Sequence, residues 1–67
     1  AHIDTIIRAA IHDLKNPLSV IIGCADMLIS DRENLSNETT ARITDEILGS
    51  GQKLNGMLDE ITTFIEQ

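Results

Sequence analysis

A chain of 67 residues has room for one small domain. Five basic against eleven acidic side chains leave a net charge of -6, and Phe64 is the one aromatic residue. A surface so acidic and so poor in rings argues against nucleic acid as a partner, because phosphates need Lys or Arg and unstacked bases need stacking faces. No apolar run approaches the roughly 18 to 20 residues that span a bilayer, so no direct membrane contact and no signal peptide are expected. Cys24 has no second cysteine for an internal disulfide and fits a reducing compartment. The start at Ala1 rather than Met leads to the expectation of a fragment from a longer protein.

The first predicted element is a helix over about residues 2–30. Ile7, Ile11, Leu14, Leu18, Ile21, Ala25 and Leu28 step by 4 and 3 in alternation, the spacing of an a/d seam. Ile22 and Ile29 sit beside it and widen the stripe beyond what a two-stranded coiled coil uses. The periodicity then breaks over about residues 31–37, where Asp31, Asn34, Ser36 and Asn37 are turn and cap residues. Either Ser36 or Asn37 is placed to cap the next helix, with Glu38 favoured in its first turn by the dipole. The second helix is predicted over about 38–66. Its seam is Ile47, Ser50, Leu54, Met57, Ile61 and Phe64, flanked by Ile43, Leu58 and Ile65.

The fold class is therefore all-α, an antiparallel two-helix hairpin occupying residues 1–67 as a single domain. Such a hairpin leaves one side of each apolar stripe wet. Two copies related by a two-fold axis form a four-helix bundle and cover both, so a homodimer is expected.

The segment Ile11-His12-Asp13-Leu14-Lys15-Asn16-Pro17-Leu18 is unusual for a helix interior. Pro17 has no N–H for the carbonyl of Asp13 and its ring crowds that carbonyl, at a usual cost of about 3 kcal/mol, so a bend is expected one turn after His12. A hairpin turning near residue 34 brings Pro17 level with about residue 51. There Gly49, Ser50 and Gly51 are small enough to admit a bent partner, although these glycines are equally well read as merely tolerated. Ile11 and Leu14 bracket His12, which places the imidazole beside the core on a solvent-facing flank. Asn16, Ser19 and Gly23 continue down that flank at one-turn spacing. Asp13 lies about 100° around the helix from His12, and its carboxylate is within reach of one ring nitrogen, where it fixes the tautomer and raises the basicity of the other.

These residues resemble the phosphoacceptor motif of sensor histidine kinases. His-Asp-Leu-Lys-Asn-Pro-Leu, from His12 to Leu18, is similar to the family's H box, His-Glu/Asp-Leu-Arg/Lys-Thr/Asn-Pro-Leu. The domain implied is the dimerisation and histidine phosphotransfer domain. The resemblance makes His12 the nucleophile that takes the γ-phosphoryl group of ATP on Nε2. It makes Asp13 a hydrogen-bonding partner and general base, and Asn16 the residue that positions a water for dephosphorylation in bifunctional members. Pro17 supplies a bend used in signalling. Lys15 stands where arginine is frequent, keeping the charge without the planar fork.

The implied partners are a second copy of the chain, the receiver domain of a response regulator and the kinase's own ATP-binding domain. Ser19, Gly23 and Cys24 are a candidate receiver-docking patch. No Gly-rich loop or Mg²⁺ cluster is legible in this chain, so ATP and Mg²⁺ are expected on that other domain, which would follow Gln67. The chain is expected to act as phosphorylation substrate and phosphodonor in the cytoplasm, where ATP is, with the whole protein open to membrane anchoring elsewhere.

Two other readings compete. A monomeric histidine phosphotransfer module also has a lysine three residues after its histidine, but it usually carries glycine where Asn16 stands, lacks Pro17 and needs four helices from one chain. A purely structural helical dimer would leave His12 incidental. Elsewhere the plain readings hold: His2 is a terminal, solvated residue, and no metal-ligand spacing joins it to His12. Cys24 is also read as a small packing residue, Met27 and Met57 as filler, and the paired acidic residues as solvated faces.

Overall fold

A computed structural model of the chain describes residues 2–66, with the side chain of His2 outside the described part. It consists of two α-helices, α1 (His2–Ser30) and α2 (Asn37–Glu66), which pack along their lengths as an antiparallel hairpin. No strand occurs among the described residues.

The turn follows from local hydrogen bonding. The Asp31 N–H donates to the Met27 carbonyl at 3.0 Å and carries the helical ladder one residue past Ser30. The Asn34 N–H then donates to the Asp31 carbonyl at 2.8 Å and turns the chain. Ser36 caps α2. Its carbonyl accepts the first bond of the helix from the Thr40 N–H at 2.9 Å, and its Oγ accepts from the Thr39 N–H at 3.1 Å. The same hydroxyl donates to Thr39 Oγ1 at 2.9 Å, which holds the cap's rotamer. Of the two cap candidates, the structure therefore uses Ser36 and starts α2 at Asn37. Along α2, Thr44, Thr62 and Thr63 return their hydroxyls to carbonyls three or four residues back, so these poor helix formers leave no polar group unpaired.

The line along which the helices meet differs from the expected seam of α1. The more buried positions of that helix are Ala10, Leu14, Pro17, Val20, Ile21, Cys24, Ala25 and Leu28. Ile7, Ile11 and Leu18, placed on the seam by their spacing, are exposed. The physical reason lies in size. Ala10, Pro17 and Cys24 alternate with Leu14, Ile21 and Leu28, and small residues between large ones let two helices interdigitate. The bulkier residues on the other edge of the stripe splay outward.

In α2, Ile43 was expected to flank the seam but lies on it, one step before Ile47, and is 7% exposed. Phe64, expected on that seam, is exposed near the open end of the hairpin. Among the described residues, Ile43 and Pro17 alone are buried.

The helix remains continuous through Pro17. The carbonyl that Pro17 leaves without a helical partner belongs to Asp13, an exposed residue, so solvent is available to it. The proline ring contributes apolar surface to the interhelical line instead. The glycines do not match a close approach, because a Cβ built at Gly49, Gly51 or Gly56 meets nothing within 4 Å. The kink-matching reading of Gly49 and Gly51 is thereby corrected, and helix packing within the chain does not require them.

The hairpin measures 50 × 17 × 11 Å, and its radius of gyration is 15.5 Å. A compact chain of this length has a radius near 11 Å. The smallest dimension is that of one helix, so this is a single layer with solvent on both faces.

Candidate functional site

His12 stands near the middle of α1 with its side chain 87% exposed. Asp13 is 68% exposed, and its carboxylate oxygen lies 3.6 Å from His12 Nδ1. That separation is longer than a hydrogen bond, but both side chains are free to rotate in solvent and a small rotation closes it. The carboxylate thus stands beside Nδ1 and leaves Nε2 clear. A carboxylate at one imidazole nitrogen holds the proton there and keeps the lone pair on the other.

An open groove of about 660 Å³ runs beside the imidazole. From α1 it is lined by His12, Asp13, Lys15, Asn16 and Ser19, and from α2 by Lys53 and Met57. Asn16 and Ser19 are exposed one and two turns beyond His12, at the spacing of a single helical flank. Met57 is half-buried and forms the apolar floor, while Lys53 is exposed on the rim.

The sequence puts Met57 on the α2 seam rather than at the site, and does not single out Lys53. The signal was present in the antiparallel register. With the turn centred near residue 34, Asn16 falls level with about residue 52 and His12 with about residue 56, next to Lys53 and Met57 in the chain.

The remaining candidates are distributed differently. Pro17 is buried between the helices. Gly23 is exposed on the flank of Ser19 but does not line the groove. Cys24 is a free, half-buried thiol in register with the interhelical line rather than with Ser19 and Gly23. Among the described residues, no group of three or more His, Cys, Asp or Glu side chains is placed to hold a metal ion, and no helix is long and apolar enough to cross a membrane.

The arrangement is that of a histidine presented for chemistry from the side of a helical hairpin, with one ring nitrogen attended by a carboxylate and the other open to a visiting group. The chain matches the family model of the His Kinase A (phospho-acceptor) domain over residues 3–65, and it belongs to that family. It is thereby placed among the phospho-acceptor domains of histidine kinases in two-component signalling. Neither the curated proteins nor the solved structures searched contain a match to it.

Proposed function

We propose that His12 accepts the γ-phosphoryl group of ATP and passes it to an aspartate of a response regulator receiver domain. The observation that carries this reading is the exposed imidazole with the Asp13 carboxylate 3.6 Å from Nδ1. The Nε2 lone pair attacks the γ-phosphorus, the N–P bond forms, and the bond from phosphorus to the bridging oxygen of ADP breaks. The imidazole then carries positive charge, which the Asp13 carboxylate stabilises until the Nδ1 proton leaves to it or to solvent. In the second step the receiver aspartate attacks the same phosphorus and the N–P bond breaks, while a proton returns to Nδ1 from Asp13 or from solvent so that the imidazole leaves as a neutral group. Asn16, one turn further along the flank, is positioned to orient the water that later hydrolyses the receiver's acyl phosphate. Phosphoryl transfer depends on placement and charge more than on covalent machinery, and a rigidly mounted, accessible ring suits a relay visited by two partners in turn.

ATP and Mg²⁺ belong, in this reading, to a separate ATP-binding domain of the same kinase, and the chain works in the cytoplasm. It works as a homodimer. Its accessible surface is 5447 Å², about 1,200 Å² more than a compact monomer of 7.4 kDa exposes. Covering an excess of that size on each of two copies buries roughly 2,400 Å² in total, within the range of obligate homodimers. Ile7, Ile11, Leu18 and Ile22 on α1 and Leu58 and Ile65 on α2 supply the apolar surface for it.

The test is incubation of the chain with ATP and the kinase's ATP-binding domain. An acid-labile, base-stable phosphate that His12→Gln abolishes supports the proposal. Absence of labelling on the intact chain sinks it and favours a purely structural dimer.

A further inference from the structure

The groove beside His12 draws its charged groups from both helices: Asp13 and Lys15 from α1, and Lys53 from α2. The chain has five basic side chains in all, against a net charge of -6. Two of the five therefore line the one groove that contains the imidazole. Among the described residues Lys53 has no ion-pair partner, so its ammonium group is not committed to a carboxylate. It lines the groove from α2, the helix that does not carry His12.

A phosphoryl group on His12 adds between one and two negative charges beside a carboxylate that already repels it. Lys15 is three residues from His12 on the same helix. Lys53 lines the same groove from α2, so each helix contributes one lysine to the groove that contains the imidazole.

We propose that Lys53 is a positioning residue for the phosphorylated state, holding the phosphoryl oxygens of phospho-His12 against the α2 wall of the groove and offsetting their charge. The proposal rests on the phosphoacceptor reading of His12. Within that reading it gives α2 a part in the relay: one helix carries the phosphoryl group and the other orients it. Its flexible stem lets the ammonium follow the group as phosphorus moves toward an incoming nucleophile.

Phosphorus NMR on the chain treated with phosphoramidate tests this without a receiver. The imidazole nitrogen displaces ammonia from phosphorus, and a His2→Gln background leaves His12 as the single acceptor. The second ionisation of the phosphoryl group is then followed by its chemical shift. Lys53→Gln is expected to raise that pKa by about half a pH unit, the size of effect one cation at close range exerts in water. Lys53→Arg restores it. Arg42→Gln makes the same change in net charge outside the groove and is expected to leave the pKa in place. Circular dichroism on each variant reports unchanged helicity.

Equal shifts in Lys53→Gln and Arg42→Gln, or no shift in either, overturn the assignment of Lys53 and leave His12 as acceptor. Failure of the unsubstituted chain to take phosphate at His12 from ATP in the presence of the kinase's ATP-binding domain overturns the phosphoacceptor reading, and the role of Lys53 with it.

Discussion

His12 Nδ1 lies 3.6 Å from the Asp13 carboxylate although the two side chains leave the helix about 100° apart. Neighbours in sequence normally diverge on a helix, and here the short reach of Asp brings the carboxylate back to the ring. Asp13→Asn keeps the size and removes the charge. We expect it to slow loading of His12 by about 10² to 10⁴-fold, the range for loss of one acid–base partner, with the helical content unchanged because the residue is exposed. Initial rates of phosphate incorporation from ATP check this, and an unaltered rate refutes a role for Asp13.

Asn16 lines the groove one turn from His12. Asn16→Ala is expected to slow dephosphorylation of the receiver by about tenfold or more while transfer from phospho-His12 stays near its original rate, because positioning a water matters only for hydrolysis. Parallel loss of both activities would argue against the proposed division of labour.

Gly49 and Gly56 are exposed, and a Cβ at either meets no neighbour. Gly49→Ala and Gly56→Ala are each expected to stabilise the chain by up to about 1 kcal/mol through helix propensity and a less flexible unfolded state. Thermal melts of the single and double variants measure it. A lower melting temperature would mean that a partner occupies the space beside these glycines.

Ser36 holds the start of α2 by accepting the Thr39 N–H. Ser36→Ala is expected to cost about 1 kcal/mol and Ser36→Asp far less, since a carboxylate accepts the same bond at a helix N-terminus. Denaturant midpoints on the two variants decide it. Equal destabilisation by both would mean that the hydroxyl's bond to Thr39 Oγ1, which a carboxylate cannot donate, is the interaction that matters.

Leu18 and Ile22 are exposed apolar residues on α1. Leu18→Asp and Ile22→Asp are expected to convert a dimer to a monomer with loss of helicity, because each substitution acts twice about a two-fold axis and each Leu or Ile side chain contributes about 1.5–3 kcal/mol on burial. Light scattering coupled to gel filtration gives the mass. Unchanged association in both variants would place the interface elsewhere.

Much of this architecture is legible in the residues because helical periodicity is a strong signal over thirty positions. The two helices and the turn follow from the 4–3 spacing and from the cluster Asp31 to Asn37. The edge of the α1 stripe that pairs within the chain does not follow. Ile11 and Ala10 both belong to a wide apolar band, and periodicity says nothing about which edge meets which helix. Size decides it, since Ala10, Pro17 and Cys24 permit the approach that Ile7, Ile11 and Leu18 resist. At the site, the flank from His12 to Ser19 follows from spacing on one helix. Lys53 and Met57 enter only through the pairing of two helices, a relation that no window along the chain contains. The ring nitrogen beside Asp13 depends on rotamers, which the sequence does not encode directly.

The 11 Å thickness of the hairpin has a thermodynamic consequence. A slab one helix deep has almost no interior of its own, so in the proposed homodimer becoming ordered and finding a mate are a single equilibrium whose position depends on how many copies share the solution. Dilution then acts like a denaturant. In a larger polypeptide, any neighbouring segment that draws two such slabs together or pries them apart gains leverage over whether His12 is mounted rigidly enough to be used.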